Sequence, residues 1–113
     1  MHITIEEAIS LLDVWRTQET VLDIHFSCAG NRRELHETVV GIKGGVVNLS
    51  GAEGATRLDL TGAEFNGDRR CPPNSNHGAY LVCEYANGDR WSFYAPRPFD
   101  FEPRIPPVER RRR

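Results

Sequence analysis

The side chains with the most chemistry to offer are three cysteines, Cys28, Cys71 and Cys83, and four histidines, His2, His25, His36 and His77. Such residues can ligate a metal or supply a thiol nucleophile with its base. Zinc sites usually show themselves as C-x2–4-C or H-x3–5-H pairs, and neither spacing is present. His25 and His36 fall on neighbouring extended segments around a short turn, where they could face each other. Exposed histidines without a ligand are the commoner arrangement, so the expectation is no metal and no cofactor.

Cys71 is the most interesting thiol. Arg69 and Arg70 precede it, and neighbouring cations lower a thiol pKa. His77 sits in the same loop and could act as a base. No catalytic signature surrounds the pair, so an incidental loop cysteine is the simpler reading. Cys71 and His77 are retained as candidate reactive residues, and no catalytic residue is assigned. Glu34, Glu37, Asp59 and Glu64 are spread over strand and loop positions and read as a solvated face. Gly41-Ile42-Lys43-Gly44-Gly45 lacks the Walker spacing and no helix follows it, so a hairpin turn explains it.

The elements that must position these residues follow from periodicity. Thr4-Ile5-Glu6-Glu7 has the form of a capping box. Apolar residues then recur at Ile5, Ala8, Ile9, Leu12 and Trp15, which predicts a helix over 4–17. After Thr20 the period changes to two. Leu22, Ile24 and Phe26 alternate with polar neighbours, as in a half-buried strand, and Cys28-Ala29-Gly30-Asn31 is a turn. Residues 33–42 read as a second strand whose apolar parity switches midway. A bulge or sharp bend near Gly41 would reconcile the two halves.

Strands are also expected at 46–50 and 56–61, with Leu58 and Leu60 inward. Residues 66–78 carry Pro72-Pro73 and read as one long loop. Asn87-Gly88 is a strong hairpin signal. A two-residue type I′ turn would set Tyr85 opposite Arg90, Glu84 opposite Trp91 and Val82 opposite Phe93. That arrangement allows an exposed contact of Arg90 on the Tyr85 ring. Five prolines from Pro96 onward then favour extended chain, with Phe99 and Phe101 positioned to dock.

This order defines an α+β fold, with an N-terminal helix packed on a bent antiparallel β-meander of five or six strands. A small SH3-like or Sm-like barrel fits the order, as does a curved sheet under the helix. A chain of 113 residues suits one domain. The domain is placed at residues 1–98, with a Pro/Arg-rich extended arm at 99–113.

Charge narrows the partners. The net charge is −2, yet residues 104–113 hold five Arg and one Glu, so residues 1–103 carry −6. An acidic body argues against a broad phosphate-binding surface. The opening Met1-His2-Ile3-Thr4 has neither a basic stretch nor a long apolar run, so no signal peptide or membrane span is expected. A reduced, cytoplasmic setting follows, with the cysteines as small buried hydrophobes.

The first functional reading is a non-enzymatic protein-interaction or assembly module that could self-associate, with Tyr85, Arg90, Trp91, Arg69 and Arg70 as its interaction residues. The second is a nucleic-acid-binding SH3-like or Sm-like barrel using Arg69, Arg70 and the Arg tail. The third is a small ligand-binding protein or enzyme using Cys71 and His77.

Overall fold

A computed structural model describes residues 1–52, 54–71 and 77–96. The N-terminal helix α1 spans Ile5–Thr17. Its capping box is complete, with the Glu7 N–H donating to Thr4 Oγ1 at 3.1 Å and the Thr4 N–H donating to Glu7 Oε1 at 2.9 Å. Glu6 and Glu7 in the first turn and Arg16 in the last suit the helix dipole. The far end is closed by two bonds, Glu19 N–H to the Arg16 carbonyl and Thr20 N–H to the Trp15 carbonyl. These form a Schellman motif, with Glu19 in the left-handed region at φ 54°. Ala8, Leu11, Leu12 and Trp15 are the buried stripe.

Eight strands are found among the described residues: β1 His2–Ile3, β2 Val21–Cys28, β3 Asn31–Lys43, β4 Val46–Gly51, β5 Gly54–Asp59, β6 Glu64–Asp68, β7 Ala79–Glu84 and β8 Arg90–Ala95. They form one antiparallel sheet in the order β1-β6-β7-β8-β2-β3-β4-β5. The α+β class and antiparallel pairing agree with the sequence, but there are eight strands rather than five or six. The order has a simple logic. From β2 onward each strand pairs with the next, except that β5 and β6 are not partners, and β8 returns to pair with β2. The result is one antiparallel sheet with β1 at one edge and β5 at the other.

The change of parity in β3 has the expected cause. Val39 pairs with Leu49 and Gly41 with Asn48, leaving Val40 as an extra residue. Val40 is accordingly 59% exposed, while Leu35 and Val39 before it are buried. The core lies between α1 and the inner face of the sheet. Leu12, Leu22, Ile24, Leu49, Leu60, Leu81 and Phe93 are fully enclosed there, and each such side chain contributes about 1.5–3 kcal/mol on burial.

The β7–β8 hairpin departs from its expected register. Glu84 pairs with Arg90, Cys83 with Trp91 and Leu81 with Phe93. The loop is Ala86-Asn87-Gly88, closed by Tyr85 N–H to the Asp89 carbonyl at 2.9 Å. Gly88 is left-handed at φ 96° and Asn87 is not, so this is a three-residue loop rather than a two-residue type I′ turn. The Asn87 side chain accepts the Asp89 N–H at 2.9 Å, which stabilises the longer form. A shift of one residue exchanges the faces, so Leu81 and Cys83 join Phe93 in the main core cluster, while Val82 is buried outside it and Glu84 is exposed.

Two further boundaries move. Residues 66–68, expected to be loop, belong to β6, and β5 begins at Gly54 rather than Thr56. The proposed arm at 99–113, including Phe99, Phe101 and Arg110–Arg113, lies outside the described residues, as do residues 72–76 of the long loop. No helix among the described residues is long and apolar enough to cross a membrane.

Candidate functional site

The densest group of metal-ligating and titratable side chains stands on the outer face of β2 and β3. A tight turn through Ala29 (φ 50°) and Gly30 (φ 83°) joins the two strands and sets Cys28 opposite Asn31. Counting back along the ladder, His25 then meets Glu34 and Asp23 meets His36. Residues two apart on a strand share a face, so all four project together, away from the core residues Leu22, Ile24 and Leu35.

The polar atoms converge. His25 Nε2 lies 3.6 Å from Asp23 Oδ1 and 3.9 Å from Glu34 Oε2, and His36 Nε2 lies 3.4 Å from the same Asp23 Oδ1. Donor atoms of Asp23, His25 and Glu34 all fall within 4.8 Å of one another. Asp23 Oδ1 is shielded from solvent yet accepts no hydrogen bond. The imidazole contacts are too long or too poorly aligned to count. On the adjacent strand β8, the Tyr94 ring meets His25 edge to face, with centroids 5.7 Å apart. The His77 ring packs against Tyr94 at 4.6 Å. Imidazole nitrogens mixed with carboxylate oxygens suit a borderline divalent ion.

His25 and His36 are on adjacent strands, as the sequence indicates, but each directly faces a carboxylate and not the other imidazole. Asp23 and Glu34 were not singled out from sequence as members of this group. Their signal was present as Asp23-x-His25 and Glu34-x-His36, one acid-x-His pattern repeated at positions symmetric about Ala29-Gly30.

The other candidate residues divide between two places. Tyr85, Arg90 and Trp91 gather at the β7–β8 turn. The Tyr85 hydroxyl donates to the Asp59 carbonyl at the end of β5. Burial above all, with help from Cys83, Asp59 and Asp89, raises the phenol pKa. Arg90 Nε lies 3.9 Å from Glu84 Oε2, and Trp91 stacks on Phe26 at 4.2 Å. Arg69 and Arg70 are exposed and follow β6, near the opposite end of β7. Arg69 donates to Ser10 Oγ on α1 at 2.7 Å.

Cys71 is buried, at 8% exposure, and its N–H donates to the Gly78 carbonyl at 2.9 Å. Burial shields a thiol that the sequence placed in an open loop. Cys83 is fully enclosed, which pushes its thiol up to about 12. Cys28 is half-buried, and its hydrogen bond to Asp89 raises its pKa.

Two further features lie on the surface. A groove of about 610 Å³ runs along the C-terminal half of α1, lined by Leu11, Val14, Trp15, Val21, Ala79 and Ala95, and ends at Pro96. Strand β5 pairs with β4 on one side, and no strand among the described residues pairs with its other side. Comparison with protein-family models, with curated proteins and with solved structures finds no match to this chain.

Proposed function

We propose that this chain is a non-enzymatic assembly module that pairs through the open edge of β5 with the same edge of a second copy. The open edge carries this reading. An unpaired strand presents a row of backbone N–H and carbonyl groups ready to extend the sheet. Two copies meeting antiparallel about a two-fold axis would satisfy both edges at once. The segment Gly54–Asp59 contains no proline and balances one Arg57 against one Asp59, so two copies meet without net repulsion. Tyr85, singled out from sequence as an interaction residue, stands at the end of this edge through its bond to Asp59.

Native mass spectrometry of the full chain across a concentration series tests the proposal. The expected result is a dimer that dissociates on dilution and is weakened about tenfold or more by Arg57→Asp, which sets like charges against each other. A monomer at every concentration up to about 100 μM would overturn it.

The nucleic-acid reading on an SH3-like or Sm-like barrel has less support. Of its cations within the described residues, Arg69 is already engaged by Ser10. The enzyme reading is weakened by the burial of Cys71.

A further inference from the structure

We propose that Asp23, His25 and Glu34, joined by His36, form an open binding site for a divalent transition-metal ion of the Zn²⁺ class. Four observations converge on it. The first is spacing. A tetrahedral ion with bonds of about 2.0–2.2 Å holds its ligand atoms about 3.3–3.6 Å apart. His25 Nε2 stands 3.6 Å from Asp23 Oδ1 and 3.9 Å from Glu34 Oε2, and the donor atoms of the three residues all lie within 4.8 Å of one another, so contraction of this trio closes it on an ion.

The second is the condition of Asp23 Oδ1, a shielded acceptor with lone pairs unmet. A cation between it and the flanking imidazoles would satisfy it. The third is the donor set. An imidazole with two carboxylates, and a second imidazole beside Asp23, favours borderline ions over Ca²⁺ and Mg²⁺, which prefer all-oxygen shells. The fourth is support. The ligands sit on paired strands of one hairpin, in a register fixed by its turn, and Tyr94 on the adjacent strand β8 contacts the His25 ring edge to face. His36 contacts the Asp23 side of the group and would supply the fourth ligand by a turn of its side chain.

The ligand side chains are between about one-third and two-thirds exposed. The site is therefore open to solvent, and water would fill any remaining position on the ion. The competing explanation is charge pairing alone, in which protonated imidazoles sit beside carboxylates and no ion is needed. The two make opposite forecasts. Neither depends on the β5 edge, which β4 separates from the β2–β3 pair that carries the site.

The test is calorimetric titration of Zn²⁺ into the chelator-stripped full chain at neutral pH. The expected result is one ion bound per chain. His25→Gln and, separately, Glu34→Gln should each weaken binding about tenfold or more, while His2→Gln on β1 should change nothing. Far-UV circular dichroism of the metal-free variants establishes that they remain folded. Glu34→Gln, at a well-exposed position, keeps the test open if His25→Gln disturbs the hairpin. Absence of saturable binding up to about 100 μM Zn²⁺ would overturn the proposal. So would affinity that survives both substitutions, or displacement of Zn²⁺ by a matching concentration of Mg²⁺.

Discussion

The hydroxyl of Tyr85, just beyond β7, donates its proton to the backbone carbonyl of Asp59 at the end of β5. The two residues are 26 apart in sequence, and their bond ties the β7–β8 turn to the end of the edge strand β5. Tyr85→Phe keeps the ring and removes only this bond. It should lower unfolding free energy by about 0.5–1.5 kcal/mol, measured by urea denaturation. An unchanged midpoint would mean that the bond contributes nothing net.

Glu19 occupies the left-handed position that closes α1. A side chain there is strained in a way that glycine is not. Glu19→Gly should therefore stabilise the fold by about 1 kcal/mol, seen as a rise in Tm. A fall in Tm would show that the Glu19 side chain makes a compensating contact.

Gly51 requires its missing side chain for a reason of space, not of φ. A Cβ there would come within 2.5 Å of the His36 carbonyl oxygen and 2.9 Å of Glu37 Cγ. The first neighbour is backbone and cannot swing aside. Gly51→Ala should cost about 1–3 kcal/mol, and hydrogen exchange should locate the loosening at the pairing of Glu37 with Gly51.

The three thiols should differ sharply in reactivity. In the native chain at pH 8, Cys28 should react first, and more slowly than free cysteine, because its bond to Asp89 favours the thiol. Cys71 and Cys83 are buried and should label only after denaturation. Rapid labelling of Cys71 would restore the reactive-loop reading.

Alkaline pH should weaken the fold through Cys83. Its thiol is raised from 9.0 to about 12 in the folded chain. The unfolded chain therefore loses this proton first, and the folded state binds more protons above pH 9. Stability falls as pH rises through that window, by about 1.4 kcal/mol per pH unit for a group of this kind. Tyr85, also raised, adds the same sign at higher pH. Cys83→Ala should flatten the decline between pH 9 and 11 in denaturation series, whatever it costs at pH 7. A slope unchanged by the substitution would assign the alkaline loss elsewhere.

Much of this architecture could be read from local pattern. The capping box at Thr4, the stripe ending at Trp15 and the alternation in Leu22, Ile24 and Phe26 each reflect forces acting within a few residues. The parity switch in β3 even located its bulge, because one extra residue must exchange faces. The β7–β8 register is not legible in the sequence because Asn87-Gly88 suits more than one turn. The choice fell to the Asn87 side-chain bond and to the burial of Leu81 and Cys83 with Phe93.

By itself, the sequence determined the helix, its start and the antiparallel character of the strands. Tertiary structure alone decided that β8 returns to β2, that β5 keeps an open edge, and that Asp23 and Glu34 join His25 and His36. The physical reason is the range of the interactions. Capping and periodicity are local, whereas pairing between strands distant in sequence depends on which apolar faces can share one core. Only once that core has closed is it settled which polar side chains converge outside it.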